Sequence, residues 1–276
     1  MIKIIGDIIL DIWIRGNYKK ISPEAPVKIL EQENILYNLG GAGNVALNLK
    51  TFNQKIKLYS AISNDRSGLL IKKFLKKNKI NCFLSNKLKI TTTKTRLIRK
   101  NGKHITRIDN EKYQNDKSLE AKYIAEIKRD DYALVIDYNK GIIGKNLIKK
   151  LLNKTSKIYV DPKNKPNVYK GAFLVKPNMK RLKNWIGAFE KKKCFSLLKK
   201  NNWKWLVVTD GPNGVHIFNS KIEYKKIPVL TNNLKDVSGA GDTFLSTLVN
   251  FHSEGLNVFH SCEMAAIAST KVVEKL

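Results

Sequence analysis

Short, continuously apolar segments recur through the second half of the sequence, and stretches with helical spacing of apolar residues separate them. These segments are 133–136, 158–160, 173–175 and 205–208. A strand that is apolar at every position is buried on both faces, and strands that alternate with helices form a parallel sheet covered on both sides. The pattern predicts an α/β fold with a mostly parallel central sheet, to which residues 2–6 contribute a first buried strand.

Polar residues follow these predicted strands. They are Asp137, Asp161, Asn178 and the Thr-Asp-Gly turn at 209–211. In open α/β sheets, ligands bind beyond the carboxyl ends of the strands, where such side chains converge. The sequence therefore predicts one ligand-binding crevice at this end of the sheet.

A glycine-rich turn followed by an acid is the clearest chemical signal in the chain. Within the segment 236–243, Gly239-Ala240-Gly241 precedes Asp242, and an apolar helical stretch follows. Backbone N–H groups at the start of a helix bind anions, helped by the positive end of the helix dipole. A carboxylate in such a place is suited to accepting a proton from a hydroxyl group beside a phosphate. The alternative is a turn that only caps the helix.

Two segments, 12–36 and 91–110, do not fit the core pattern. The first alternates apolar and polar residues around two prolines, and the second has Asn101-Gly102 at its centre, which is a strong hairpin signal. We expect them to form a small sheet over the crevice, called the lid sheet below. Since no linker or repeat interrupts the sequence, residues 1–276 are expected to form a single domain.

Charge and composition narrow the choice of partners. The chain has 52 Lys and Arg against 23 Asp and Glu, a net charge of +29. The lysines are spread along the whole chain without a nucleic-acid-binding module, so we expect an anionic small molecule as the ligand and no nucleic acid. No apolar run approaches the ~20 residues that cross a bilayer, so no membrane partner is expected. Three widely spaced cysteines suggest reduced thiols in the cytoplasm.

Four motifs, taken in order, carry a resemblance to a known family. They are Gly6-Asp7-Ile8-Ile9-Leu10-Asp11, Gly40-Gly41-Ala42-Gly43-Asn44, Thr209-Asp210-Gly211-Pro212-Asn213-Gly214 and Gly239-Ala240-Gly241-Asp242. The chain resembles the PfkB/ribokinase superfamily of carbohydrate kinases over nearly its whole length. Within it, the segments 21–27, 93–97, 137–141 and 161–163 are similar to the heptose 7-phosphate kinases. The resemblance implies a ribokinase-like three-layer fold that uses ATP and Mg²⁺.

The resemblance also implies roles for particular residues. Asp242 would be the general base, and the backbone N–H groups of Gly239, Ala240 and Gly241 would stabilise the transferring phosphoryl group. The implied substrate-binding residues are Asp11, Gly40, Gly41, Asn44, Asp137 and, at the sugar phosphate, Lys94 and Arg96, which share one side of a predicted strand. The implied nucleotide-binding residues are Lys163, Asn178, Thr209, Asp210, Gly211 and Gly214.

The sequence departs from the superfamily in two places. An Asn-x-x-Glu motif organises magnesium in the superfamily, whereas here Asn178 is followed three residues later by Arg181. We expect the reversed charge to weaken recruitment of Mg²⁺, whose ligands stay unassigned; Glu190 is a nearby acid in the wrong register. The sequence also reaches Leu276 before the Gly-Thr-containing loop and terminal segment usual in the family. We expect weaker nucleotide binding as a result, and no fused nucleotidyltransferase domain.

The activity implied by the resemblance is ATP-dependent phosphorylation of C1 of a heptose 7-phosphate, on the route to activated heptose for lipopolysaccharide. A homodimer joined through the exposed strand edges of the lid sheet is expected, because such edges must be paired or covered. One alternative is a PfkB kinase for another phosphosugar. The other is a non-catalytic homologue that binds sugar or nucleotide, which Arg181 and the expected lack of the usual terminal segment motivate.

Overall fold

The computed structural model describes residues 1–229 and 239–274, which contain a large and a small β-sheet. The strands in chain order are β1 (Ile2–Gly6), β2 (Ile8–Ile21), β3 (Lys28–Gly41), β4 (Ile56–Ala61), β5 (Cys82–Ser85), β6 (Thr93–Arg99), β7 (His104–Asn110), β8 (Tyr132–Ile136), β9 (Ile158–Asp161), β10 (Leu174–Val175), β11 (Trp205–Thr209), β12 (Val215–Asn219) and β13 (Tyr224–Ile227). The large sheet has nine strands in the order β13-β12-β11-β10-β9-β8-β1-β4-β5. Its strands are parallel from β5 to β11, and β12 and β13 add an antiparallel edge.

Helices cover both faces of this sheet. They are α1 (Ala42–Thr51), α2 (Arg66–Lys77), α3 (Lys117–Glu126), α4 (Lys145–Leu152), α5 (Met179–Ile186), α6 (Lys191–Lys200), α7 (Ala240–Ser253) and α8 (Val258–Val273). Because successive strand residues point to opposite faces, Ile4 and Leu134 pack with α1, α2, α7 and α8, whereas Ile5 and Val135 pack with α3 to α6. The predicted three-layer α/β fold is confirmed.

The lid sheet has four strands in the order β3-β2-β6-β7. Its β6–β7 hairpin turns at Asn101-Gly102, as predicted, while β2 and β6 pair in parallel. The strands β2 and β3 extend further than the predicted segment 12–36, because Ile8, Leu10 and Leu39 are buried in the core. The lid sheet is therefore continuous with the core through two long strands.

Some elements go beyond the sequence prediction. The antiparallel strands β12 and β13 and the short edge strand β5 follow a turn-rich or lysine-rich stretch, which hides their apolar pattern. Within residues 1–229 and 239–274, no helix combines the length and the apolar character needed to cross a membrane.

Candidate active site

The N-terminus of α7 is the centre of the candidate site. Residues 236–238 of the predicted anion turn lie outside the described residues. The predicted helix is present and starts at Ala240, so Ala240 and Gly241 belong to its first turn and not to a preceding turn. Gly239 precedes the helix with a φ of 79°, a conformation that favours glycine. A Cβ atom there would also stand 3.2 Å from Nδ2 of Asn44. Asp242 lies in the first turn of α7 and is buried.

Two donors hold the carboxylate of Asp242, one on each oxygen. The Nδ2 of Asn44 donates to Oδ2 at 2.8 Å, and the hydroxyl of Tyr138 donates to Oδ1 at 3.3 Å. Asn44 comes from α1, which packs against α7. The sequence predicts that Asn44 contacts substrate, whereas the structure shows its amide orienting Asp242.

Burial raises the pKa of Asp242 from its ordinary value of 3.8 to about 6. The hydrogen bond from Asn44 lowers this pKa, the nearby carboxylate of Asp161 raises it, and the ammonium group of Lys176 lowers it. A carboxylate with a pKa near 6 is ionised at neutral pH and binds a proton more readily than an exposed aspartate. This is the tuning that a general base requires.

A cavity of about 480 Å³, called the main cavity below, opens beside Asp242. The charged residues that line it are Lys163, Lys176, Arg181, Asp161 and Asp242. An apolar part of its wall is formed by Val215, Pro228, Val229, Ala266 and Val273. The cavity therefore combines an apolar surface with an excess of positive charge at the start of a helix, which suits a ligand with a flat apolar part and an anionic part.

Tyr138 connects the main cavity to the lid sheet. The Nζ of Lys163 lies 5.0 Å from the centroid of its ring, and the Nζ of Lys94, on β6, lies 5.2 Å from the same centroid. Burial lowers the pKa of both lysines. The backbone N–H of Tyr138 donates to Oδ2 of Asp7 at 2.7 Å, so a buried carboxylate at the end of β1 fixes the loop that carries the ring.

Asp11 and Arg96 form an ion pair on the inner part of the lid sheet. The Nη1 of Arg96 donates to Oδ1 of Asp11 at 2.5 Å, and the guanidinium carbon lies 4.6 Å from the centroid of the Trp13 ring. The backbone at Gly40 approaches Asp11 so closely that a Cβ atom would stand 2.2 Å from Oδ2. The predicted sugar-side residues Asp11, Gly40, Lys94 and Arg96 are thus brought to adjacent strands, and Gly41 ends β3 just before α1.

Asp137 is a correction to the sequence-based assignment. It is 1% exposed, and its carboxylate accepts hydrogen bonds from Tyr169 Oη, from Asn164 Nδ2 at 3.0 Å and from the backbone N–H of Asn139 at 2.6 Å. These bonds stabilise the loop after β8. Asp137 is therefore a structural residue, and its neighbour Tyr138 lines the site.

The predicted turn after β11 lies at the main cavity. Thr209, Gly211 and Gly214 line it, and Gly214 has a φ of 89° where a Cβ atom would meet the Ile227 carbonyl. Asp210 is outside this lining: Asn213 Nδ2 donates to its Oδ2 at 3.2 Å, within the turn. Asp210 thus shapes the turn.

Arg181 points its guanidinium into the loop after β9. Asn178 caps α5 by accepting the backbone N–H of Arg181 at 2.8 Å, and Nη1 of Arg181 donates to the backbone carbonyl of Lys163. Glu190 is exposed and pairs with Lys193 at 2.6 Å, outside the cavity lining. The position where the superfamily places an acid is therefore a cation at the cavity wall.

The described side chains of the main cavity do not fit a magnesium site built by the protein. Magnesium takes oxygen ligands, usually with one or two carboxylates. Of the described lining residues, Asp161 is the one carboxylate besides Asp242, and Lys176 Nζ lies 3.4 Å from its Oδ2. Within residues 1–229 and 239–274, no cluster of three acidic, histidine or cysteine side chains could hold a metal ion.

Sequence reasoning missed Tyr138 and Lys176 as site residues. Both lie within two residues of a predicted strand end, next to positions that were selected for their carboxylate or amide groups. The signal that could have found them is this placement, since any side chain at the carboxyl end of a parallel strand can reach the crevice.

Comparison with known proteins agrees with this geometry. The whole chain, residues 1–276, matches the pfkB family of carbohydrate kinases. It is 32% identical over 289 residues to the bifunctional protein HldE of Nitratiruptor sp. and 33% identical over 293 residues to that of Helicobacter pylori. These alignments cover 100% of this chain but 62% and 63% of the relatives, so the chain spans about three fifths of their length.

Solved structures share the fold at low identity. Phosphofructokinase-2 from Escherichia coli in complex with potassium has a TM-score of 0.84 at 16% identity, covering 99% of this chain and 93% of that one. Ribokinase from Thermotoga maritima has a TM-score of 0.77 at 20% identity, covering 100% and 93%. The fold and the site define a sugar kinase that transfers phosphate to an alcohol. The chain belongs to the pfkB family of carbohydrate kinases.

Proposed function

We propose that this chain transfers the γ-phosphoryl group of ATP to the C1 hydroxyl of D-glycero-D-manno-heptose 7-phosphate, in the synthesis of ADP-heptose for the lipopolysaccharide core. The observation that carries the proposal is the position of Asp242. This buried carboxylate lines the main cavity and contacts Tyr138, whose ring in turn contacts Lys94 of the lid sheet. A base between a nucleotide-sized cavity and a cationic lid suits a phosphorylated sugar as acceptor.

The reaction would proceed by direct transfer. The proton of the C1 hydroxyl moves to a carboxylate oxygen of Asp242 as the sugar oxygen forms a bond to the γ-phosphorus. The bond between that phosphorus and the bridging oxygen breaks, and ADP leaves. The backbone N–H groups of Gly239, Ala240 and Gly241, at the start of α7, would stabilise charge on the transferring group.

The lid sheet would bind the other end of the substrate. Lys94 and Arg96 carry the positive charge that a 7-phosphate requires, and Asp11 can accept hydrogen bonds from sugar hydroxyls. Because a guanidinium has five N–H donors, Arg96 can bind a phosphate while one donor stays on Asp11. The relatives named bifunctional protein HldE support the choice of a heptose.

We also propose that the kinase acts in the cytoplasm as a homodimer through the lid sheet. The large apolar side chains of Ile21, Val27 and Ile108 are 65%, 57% and 56% exposed on this sheet and its connecting loop, and the edges at β3 and β7 can pair with a second copy. Cys82, Cys194 and Cys262 are free thiols, which suits a reducing compartment. Light scattering of wild type and Ile108→Lys tests the dimer: a monomeric wild type would contradict it.

A second candidate is a non-catalytic homologue that binds sugar or nucleotide, and Arg181 at the cavity wall favours it.

The test of both candidates is a panel of sugars with ATP, comprising heptose 7-phosphate, fructose 6-phosphate and unphosphorylated heptose, with ADP and the sugar product identified by mass spectrometry. We expect heptose 7-phosphate to give the highest kcat/KM. Asp242→Asn should lower kcat by about 10²–10⁴-fold, and Asp130→Asn, at an exposed aspartate, should not.

The outcomes separate the candidates. Preference for a different phosphosugar would replace the heptose with that sugar. Equal turnover by Asp242→Asn and wild type would remove Asp242 from the reaction. ATP binding without turnover of any sugar would favour the non-catalytic candidate.

A further inference from the structure

Among the described residues, three basic and two acidic side chains line the main cavity. Lys176 is 3% exposed and has Asp161 as its ion-pair partner at 3.4 Å. Lys163 and Arg181 add two more positive charges, against Asp161 and the base Asp242. With both acids ionised, the three cations leave the described part of the wall positive, so it favours an anion with several negative charges.

The guanidinium of Arg181 has N–H donors beyond the one it uses within the protein. One guanidinium nitrogen, Nη1, donates to the carbonyl of Lys163, which holds the planar group at the loop after β9. Within the described part of the chain, its other guanidinium N–H groups have no hydrogen-bond partner. A fixed guanidinium with free donors matches the paired oxygens of a phosphate group, and such charge-assisted bonds are among the stronger ones in proteins.

We propose that Arg181 binds the terminal phosphates of the nucleotide directly and, with Lys163 and Lys176, supplies the positive charge that a protein-held divalent cation would otherwise supply. The proposal rests on the proposed function, since it takes the ligand of the main cavity to be ATP. Its consequence is that the chain binds metal-free ATP well. A divalent cation that travels with the nucleotide is not needed to make the wall of this cavity attractive to phosphate.

Binding is the direct test. Calorimetric titration of ATP into the full chain, once with EDTA and once with excess Mg²⁺, should give dissociation constants within about threefold of each other. Arg181→Gln should weaken binding of metal-free ATP by about 10- to 100-fold, the value of a hydrogen bond to a charged group. Lys180→Gln, which removes the same charge from the adjacent exposed residue of α5, should leave it within about twofold.

Two more variants make the test specific. Arg181→Lys keeps the charge without the planar fork and should bind metal-free ATP with intermediate affinity. Arg181→Glu should bind metal-free ATP poorly and recover with Mg²⁺, because it adds a second carboxylate to the cavity that Asp161 lines. Circular dichroism of each variant shows whether it is folded, and the wild-type comparison does not depend on any variant.

The proposal is overturned if wild type needs Mg²⁺ to bind ATP, or if Arg181→Gln binds metal-free ATP as tightly as wild type does. Mg²⁺-dependent binding with heptose turnover would leave the proposed function standing and remove this inference alone. If ATP binds in neither form, the proposed function fails as well.

Discussion

The side-chain amide of Asn44 donates a hydrogen bond to Oδ2 of Asp242 at 2.8 Å, although 198 residues separate the two in sequence. The bond joins the first turn of α1 to the first turn of α7, and the two helices pack side by side. The orientation of the proposed base therefore depends on an early segment of the chain, and the two segments act as one unit.

Removing this donor should shift the pH dependence of catalysis. In wild type, kcat/KM should fall as the pH drops through about 6, because protonation of Asp242 removes the base. The bond from Asn44 lowers that pKa. Asn44→Leu should therefore raise the pH at which kcat/KM falls on the acid side by about 1 unit, the value of one hydrogen bond to a charged group. Pre-steady-state or steady-state rates over a pH series measure the shift.

Asn48→Leu is the matched control for this series. Asn48 lies one turn further along α1 and donates to Thr243, the neighbour of Asp242, at 3.2 Å. The Asn48→Leu variant removes an amide of the same size from the same interface, and it should leave the pH at which kcat/KM falls unchanged. Equal shifts in both variants would mean that packing, and not the hydrogen bond, sets the pKa of Asp242.

Tyr138 should act mainly through its ring. Its hydroxyl is 3.3 Å from Asp242, and a hydrogen bond of this length is weak, so Tyr138→Phe should lower kcat less than tenfold, a loss of about 1 kcal/mol. Tyr138→Leu also removes the aromatic face next to Lys94 and Lys163 and should raise KM for both sugar and ATP. Steady-state kinetics with each substrate varied in turn measure this. A Phe variant as damaged as the Leu variant would assign the main role to the hydroxyl.

The basic residues of the lid sheet should affect binding of the sugar and not binding of the nucleotide. Arg96→Gln should raise KM for the phosphosugar by about 10- to 100-fold and leave KM for ATP nearly unchanged, because a charge-assisted phosphate contact is lost on one side only. Lys100→Gln serves as the control, since this lysine side chain is 73% exposed at the end of the same hairpin. The loss should disappear with a sugar that lacks the phosphate. An equal loss with that sugar would place Arg96 away from the phosphate.

Burial of the Asp242 carboxylate should lower the free energy of unfolding at neutral pH. The pKa of Asp242 is about 6 in the folded state and near 3.8 when exposed, so the folded state binds more protons between these values. Its contribution to the free energy of unfolding therefore falls as pH rises from about 4 to about 6 and is constant above that range. Asp242→Asn should be more stable than wild type at neutral pH, by on the order of 2 kcal/mol, and equal to it near pH 4.

Denaturant unfolding at both pH values measures this difference, with Asp130→Asn as the exposed control. A difference that does not change with pH would mean that packing of the asparagine, and not the charge of the buried aspartate, changes the stability. The buried Asp7, whose pKa is raised to about 7 by burial and by Asp137, should give the same trend in wild type.

The sequence predicted the core sheet well because its strands are apolar at every position. Runs such as 133–136 and 158–160 are apolar on both faces, so both faces of the sheet must be covered. The helices between them supply this cover and connect parallel strands. The strands β12 and β13 were harder to predict, since polar residues such as His216 and Asn219 interrupt the apolar pattern of β12 and a turn-rich segment precedes it.

The site was predictable to the level of strand ends but not of individual partners. Chain order indicates that Asp137 and Tyr138 both follow β8, yet only tertiary packing decides that Tyr169 and Asn164 bind the carboxylate of Asp137. In the same way, no local pattern links Asn44 with Asp242 or Arg96 with Asp11, because these pairs depend on how separate elements pack.

Strand β2 runs from Ile8, buried in the core, to Ile21, exposed at the far end of the lid sheet, and it carries Asp11 on the way. Under the proposed function, this one strand carries both a sugar contact, at Asp11, and part of the proposed dimer interface, at its exposed end. Substitutions at the distant end, including those that alter an association between two copies, should therefore also change the KM for the sugar. Under the proposed function, selection for assembly and selection for substrate affinity would act on the same strand.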